Sequence, residues 1–179
     1  MGKEYYYNGD LKFEGEYLNG IKWNGKGKEY YNGDLIFEGE YLNGEKNGYG
    51  KKYNEKGKLL FEGEYLNGKL NGKVKEYNNS KLIFEVEYSN GKKSRNGKEY
   101  DYDGNLIFEG EYLNREKNGF IKEYNKKGKL IFEGIYLNNQ KDGIGKEYYN
   151  NGDLKFEGVY LNGIKWKGNK YYDNKIIRN

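Results

Sequence analysis

The 179-residue chain has no cysteine, histidine, proline, alanine or threonine. Without cysteine there is no disulfide framework and no thiolate, so redox chemistry says nothing about compartment. Losing histidine as well removes the commonest transition-metal ligands and the usual general base. Nucleophilic or acid–base chemistry would fall to Glu, Asp, Lys, Tyr and three serines. Long apolar runs are also missing: the longest are about three residues, such as Leu35-Ile36-Phe37. The opening MGKEYYYNGD has no apolar stretch, so neither a membrane span nor a targeting segment is expected, and Tyr6 stands where a myristoylation signal requires Ser or Thr. The sequence therefore reads as cytoplasmic, with a membrane-peripheral location as the alternative.

Charge of one sign is not in excess. Thirty-two basic residues against 28 acidic ones leave a net charge of +4, a dense but balanced surface that argues against a polyanion as partner. Charged residues make up 34% of the chain and hydrophobic residues 35%, a balance that would suggest disorder. Against this stand 22 Tyr and 8 Phe, large amphipathic side chains that can build a core from rings in place of aliphatic groups.

What is present is one phrase written seven times. FEGEYLNG begins at Phe13 and returns in edited form at Phe37, Phe61, Phe84, Phe108, Phe132 and Phe156, at spacings of 24, 24, 23, 24, 24 and 24 residues. A fixed period of this length marks small units stacked in a row. In the second unit, runs rich in Tyr, Phe and Ile flank Asn32-Gly33, a strong hairpin signal. Recurrent Gly and the lack of any sustained i, i+3, i+4 apolar pattern disfavour helix. Each repeat is therefore expected to be a β-hairpin. The interval from first-strand Tyr to second-strand Leu is five residues at Tyr30–Leu35 and Tyr77–Leu82 and six in the other repeats. A two-residue type I′ turn in the short form, and a three-residue turn closing on a left-handed Gly in the long one, would pair that Tyr with that Leu in both.

Strict alternation then predicts Leu35, Phe37, Gly39 and Tyr41 on one face, joined by Tyr30, with Ile36, Glu38 and Glu40 on the other. The Gly row, broken only by Val86, would let rings lie over the backbone. Leu42-Asn-Gly-Glu-Lys-Asn-Gly48 reads as an inter-repeat loop. The predicted architecture is all-β: one elongated, rod-like antiparallel sheet of tandem hairpins over 1–179, with seven repeats and a partial C-terminal capping strand. One aromatic face has no second layer, so twist and Tyr hydroxyls, or another copy, would have to shield it.

These residues resemble the MORN (membrane occupation and recognition nexus) repeat, whose unit runs roughly aromatic-x-Gly-x-aromatic-x-x-Gly-x-x-x-Gly-x-Gly. Phe37-Glu-Gly39-Glu-Tyr41-Leu-Asn-Gly44-Glu-Lys-Asn-Gly48-Tyr-Gly50 follows it closely, and Gly-Asp-Leu or Gly-Lys-Leu before the Phe resembles an inserted variant. Departures are Val86 at the central Gly, Arg115 and Asn139 at loop Gly, and Ile135 and Val159 at the second Glu. The resemblance implies a non-enzymatic scaffold that binds a protein partner or itself, with anionic lipid binding or antitoxin-like inhibition of a bacterial toxin as alternatives.

Candidate contact residues are few. Trp23 and Trp166 occupy the first and last inter-repeat segments and read either as caps over the ends of the array or as a contact pair. Tyr41, Tyr65 and Tyr112 belong to the ring row offered to a partner, and the sheet edges at Lys3–Tyr7 and Lys170–Tyr172 present unpaired backbone. Lys92, Lys93 and Arg95 form a basic cluster, read as loop residues, that would suit anionic lipid or an acidic partner. Paired carboxylates such as Glu38/Glu40 recur in five repeats, which reads as a solvated face and not a glycosidase pair. No Walker, dinucleotide or EF-hand motif occurs, so no cofactor or metal is expected.

Overall fold

The computed structural model describes residues 1–22, 24–114, 116–172 and 175–177. Among these there are eighteen strands and no helix. The strands are β1 (Gly2–Tyr5), β2 (Leu11–Gly15), β3 (Tyr17–Leu18), β4 (Ile21–Lys22), β5 (Gly25–Tyr31), β6 (Asp34–Leu42), β7 (Glu45–Tyr53), β8 (Leu59–Leu66) and β9 (Lys69–Asn78). They continue with β10 (Lys81–Ser89), β11 (Lys92–Tyr100), β12 (Leu106–Leu113), β13 (Glu116–Tyr124), β14 (Leu130–Leu137) and β15 (Gln140–Tyr148). The last are β16 (Leu154–Leu161), β17 (Ile164–Tyr172) and β18 (Lys175–Ile177). Sixteen form one antiparallel sheet of consecutive hairpins, and β3 and β4 pair separately; β18 pairs along Lys170–Tyr172, so that segment is not the open edge expected from the sequence. Two compact units divide the chain, Met1–Ser94 and Arg95–Asn179.

Turn chemistry follows the sequence. Asn32 and Gly33 have φ of 49° and 84°, the two left-handed residues of a type I′ turn that places Tyr31 opposite Asp34. In the longer form only Gly152 turns left-handed, at φ 98°, and Tyr149 and Asp153 close the loop with a 2.8 Å hydrogen bond. Both forms give the expected register. The Cα pairs are Tyr5–Leu11, Tyr30–Leu35, Tyr53–Leu59, Tyr77–Leu82, Tyr100–Leu106, Tyr124–Leu130 and Tyr148–Leu154.

The expected faces, however, need correction. Beside each pair the register shifts: Tyr30 is opposite Leu35, but Glu29 is opposite Phe37, which leaves Ile36 as an extra residue. Such a bulge reverses the alternation on one side of itself. The first-strand Tyr therefore lies on the face away from the Phe row. Tyr53 donates to Glu38 at 2.6 Å, Tyr124 to Glu109 at 2.5 Å and Tyr148 to Glu133 at 2.7 Å. Leu35 goes with Tyr30, while Ile36 lines a groove with Glu29 and Phe37.

The inter-repeat segment is not a loop either. Asn43 and Gly44, at φ 52° and 84°, make a second tight turn with Leu42 opposite Glu45, and β7 begins at once. The second Asn-Gly is a bulge within that strand, because Gly39 faces Gly50 while Tyr41 faces Lys46. Gly48 has φ 98°, and any Cβ there would collide with the Glu40 carboxylate, which accepts the Tyr49 N–H at 3.1 Å. These bulges bring each hairpin tip over the ring row. Successive tips are tied together, as in Gly68 N–H to Lys46 O at 2.9 Å and Gly163 N–H to Lys141 O at 2.8 Å.

The core is a herringbone of rings on a glycine floor. Tyr17, Phe13, Tyr41, Phe37 and Tyr65 make successive edge-to-face contacts at 5.3–5.9 Å, and Tyr136, Phe132, Tyr160 and Phe156 repeat the pattern in the second unit. Each deeply buried Phe lies over two glycines: a Cβ on Gly39 or Gly50 would stand 2.8 or 2.6 Å from Phe37 Cζ. Phe13, Phe37, Phe132 and Phe156 have such paired glycines and are almost fully buried. At Phe61, Phe84 and Phe108 one floor position is taken by Val74, Val86 or Ile121, and these three rings are only partly buried. A side chain on the floor occupies the room that the ring tip would use.

Gly50→Val should therefore lift Phe37 and lower stability by about 1–3 kcal/mol. Urea denaturation of the variant checks this, and an unchanged midpoint would remove the floor's assigned role.

Candidate interaction surfaces

On the ring face, the residue across from each Phe on the first strand is in most repeats a glutamate. Glu29 faces Phe37, Glu123 faces Phe132 and Glu147 faces Phe156. The tip of the same repeat returns a lysine above the ring: Lys46 Nζ lies 4.0 Å from the Phe37 centroid, Lys117 3.8 Å from Phe108 and Lys141 3.8 Å from Phe132. Lys22 and Lys165 do the same over Phe13 and Phe156. These ammonium groups also meet the carboxylates. Lys46 bonds Glu29 at 2.9 Å and Lys165 bonds Glu147 at 2.7 Å, while Tyr41 and Tyr160 donate their hydroxyls to the same two glutamates at 2.8 Å. A ring, a carboxylate, a phenol and an ammonium thus form a closed cluster, with the cation over the negative face of the ring.

The electrostatics follow from this closure. Burial alone would push Glu29 up, but hydrogen bonds from Lys46 and Tyr41 outweigh it and hold the carboxyl below its ordinary value. Glu147 is held down in the same way by Lys165 and Tyr160. Glu123 is the exception, kept above its ordinary value by burial despite Lys141. Burial and then the neighbouring carboxylate raise the hydroxyls of Tyr41, Tyr53 and Tyr160, and push Tyr49 and Tyr148 up to about 12.

The opposite face carries cross-strand charge pairs: Lys26 faces Glu40 and Lys28 faces Glu38 in the first unit, and Lys146 bonds Glu157 at 3.2 Å in the second. Within the second unit the Lys26–Glu40 position changes character. Phe120 faces Ile135 and Ile144 faces Val159. With Gly134, Gly145 and Gly158, and with the charged Glu133, Lys146 and Glu157, these four side chains line a mainly apolar hollow of about 320 Å³, in which Phe120 is 42% and Ile144 69% exposed.

The residues singled out from the sequence fall into separate places. Tyr41 and Tyr112 are 5% and 6% exposed and lie within the ring row, where Tyr41 is closed in by its cluster. Tyr65 is partly buried, and Trp166 on β17 is 69% exposed. Trp23 and Arg115 lie outside the described residues. Lys92, Lys93 and Arg95 belong to β11 and not to a loop, since the Asn90-Gly91 turn ends before Lys92. Lys93 is the ammonium over Phe84, at 4.2 Å, and it bonds Glu76 at 2.7 Å. Sequence reasoning missed the lysine covers and the Phe120–Ile144 contribution. Their signals were a Lys five residues after the ring-row Tyr and an apolar residue just before the first-strand floor position.

A sheet of consecutive hairpins with this ring and glycine spacing defines a class of repeat protein. The family model of the MORN repeat matches residues 37–58, 61–73, 87–106 and 132–154, and these four stretches across the chain are MORN repeats. Such repeats are in general protein- or membrane-interaction modules. No curated protein matches the chain.

The raised phenols set an alkaline limit. Because their folded values lie above 10, stability from the protonated hydroxyls is complete below pH 10 and is lost as pH rises through about 12 for Tyr49 and Tyr148. Tyrosinate absorbance and circular dichroism, followed together, should show these tyrosines ionising with loss of the sheet. For the acid limb, Glu29 and Glu147 stabilise the fold above the ordinary carboxyl value and lose that contribution as pH falls through their lowered values. Lys46→Met should move the acid unfolding midpoint upward.

Proposed function

We propose that the protein is a non-enzymatic interaction scaffold that binds a protein partner through the apolar hollow on the charged face of its second unit. The observation that carries this is the replacement of the Lys26–Glu40 type of pair by Phe120–Ile135 and Ile144–Val159 in two adjacent repeats. Charged pairs at these positions keep a sheet face wet, whereas a contiguous exposed apolar strip on a charged surface marks a contact region. The ring row is less suited to a partner, because the chain's own lysines and glutamates already cover it. A lipid-binding reading through Lys92, Lys93 and Arg95 is weakened by the engagement of Lys93 with Glu76 and Phe84.

Phe120→Lys combined with Ile135→Glu rebuilds the charged pair of the first unit. A partner recovered from the native source and identified should bind this variant at least about tenfold more weakly by calorimetry, the loss of a buried apolar contact, with circular dichroism and urea midpoint unchanged. Equal affinity for both proteins would overturn the assignment of the hollow.

A further inference from the structure

The third repeat breaks the cluster in two places at once. Lys52 is the residue opposite Phe61 where other repeats have glutamate, and Leu70 is the tip residue opposite Tyr65 where they have lysine. Together the two changes avoid placing two ammonium groups over one ring, so the fold accepts the pair. They also leave three groups without the partners found elsewhere. Among the described residues, Lys52 makes no ion pair, the Tyr65 hydroxyl makes no hydrogen bond and no ammonium lies over Phe61. The flanking glutamates are already engaged, Glu29 by Lys46 at 2.9 Å and Glu76 by Lys93 at 2.7 Å. At these two positions Lys52 and Leu70 leave one positive charge where a glutamate and a lysine would cancel.

A groove of about 350 Å³ opens here, lined by Lys52, Phe61, Tyr65, Leu70 and Ile36 together with Phe37, Gly68 and the ion-paired Glu29 and Lys46. Its unengaged donors are the exposed Lys52 ammonium and the Tyr65 phenol, and Ile36, Phe37, Phe61 and Leu70 supply its apolar walls. We infer that this groove receives the carboxylate of an acidic side chain from a protein partner. That carboxylate would accept from the Tyr65 hydroxyl and the Lys52 ammonium, as Glu29 accepts from Tyr41 and Lys46 within the chain. The methylenes beside it would lie against Phe61 and Leu70. The groove opens to solvent at Lys52 and Gly68, which suits a side chain held on a larger surface better than a free acid, whose sites enclose most of the ligand. The inference rests on the scaffold reading only in that a protein supplies the acid; the site itself is separate from the Phe120–Ile135 hollow.

The test is a nuclear magnetic resonance titration of the intact chain with two short capped peptides, Leu-Glu-Leu and Leu-Gln-Leu, and with hexanoate. The Glu peptide should shift the Lys52, Tyr65 and Leu70 amides saturably, and the Gln peptide should bind about tenfold or more weakly, as loss of a charge-assisted hydrogen bond requires. The double variant Lys52→Glu/Leu70→Lys restores the cluster of the other repeats, so it should fold at least as well as the native chain and lose the response. Phe120→Lys/Ile135→Glu should leave the response intact, which separates failure of this site from failure of the hollow. Equal shifts with both peptides, an undiminished response in the Lys52→Glu/Leu70→Lys variant, or binding of hexanoate as tight as that of the Glu peptide would each overturn the inference.

Discussion

The contact between an ammonium group and the face of a phenylalanine ring carries this structure. A single-layer sheet normally has to bury one face against a second layer. Here the second layer is made from the chain's own hairpin tips, which bring Lys46, Lys117 and Lys141 to within about 4 Å of ring centroids. Each lysine would be costly over an apolar ring without a counter-charge, and each facing glutamate would be costly half-buried without a donor. The phenol and the ammonium satisfy the glutamate together, so four imperfectly placed groups become one closed set. The small aliphatic content of the chain is explained by this arrangement, since aliphatic side chains are needed for only part of the core.

Glycine does a second job under the same rings. The floor positions at Gly39 and Gly50 are occupied by backbone alone, and the ring tip of Phe37 settles into that space. Where Val74, Val86 and Ile121 fill the floor, the rings above are partly exposed. The middle of the array thus exchanges ring burial for aliphatic burial: Val74 and Ile121 are themselves almost completely enclosed.

The sequence made the hairpins legible because their turns use residues with one strong conformational preference. Asn32-Gly33 and Gly152 announce positive φ, and the Tyr–Leu register follows from counting across them. The faces were misjudged because strict alternation assumes an uninterrupted strand, and nothing in the residue types at Leu35-Ile36 distinguishes a bulged position from a regular one. The same holds at Asn47-Gly48, where a turn-like dipeptide is a bulge within a strand. The interaction surfaces were legible only in fragments. Ile135 and Val159 stood out as departures from a Glu row, but their partners Phe120 and Ile144 gain meaning only once the register sets them opposite. Lys52 and Leu70 are eighteen residues apart and join one site only through Phe61 and Tyr65 between them.

The ties between successive tips, such as Gly68 to Lys46 and Asn139 to Lys117, link residues about 22 positions apart. Contacts of this kind are all between adjacent copies, so the loop entropy lost in forming any one of them is small and nearly the same along the row. Ordering can start at any copy and spread to the next. A tandem duplication of one period would therefore lengthen such a chain without disturbing the joints already present, and each added copy would bring fresh positions at which a ring cover or a charged pair could be exchanged for a new contact.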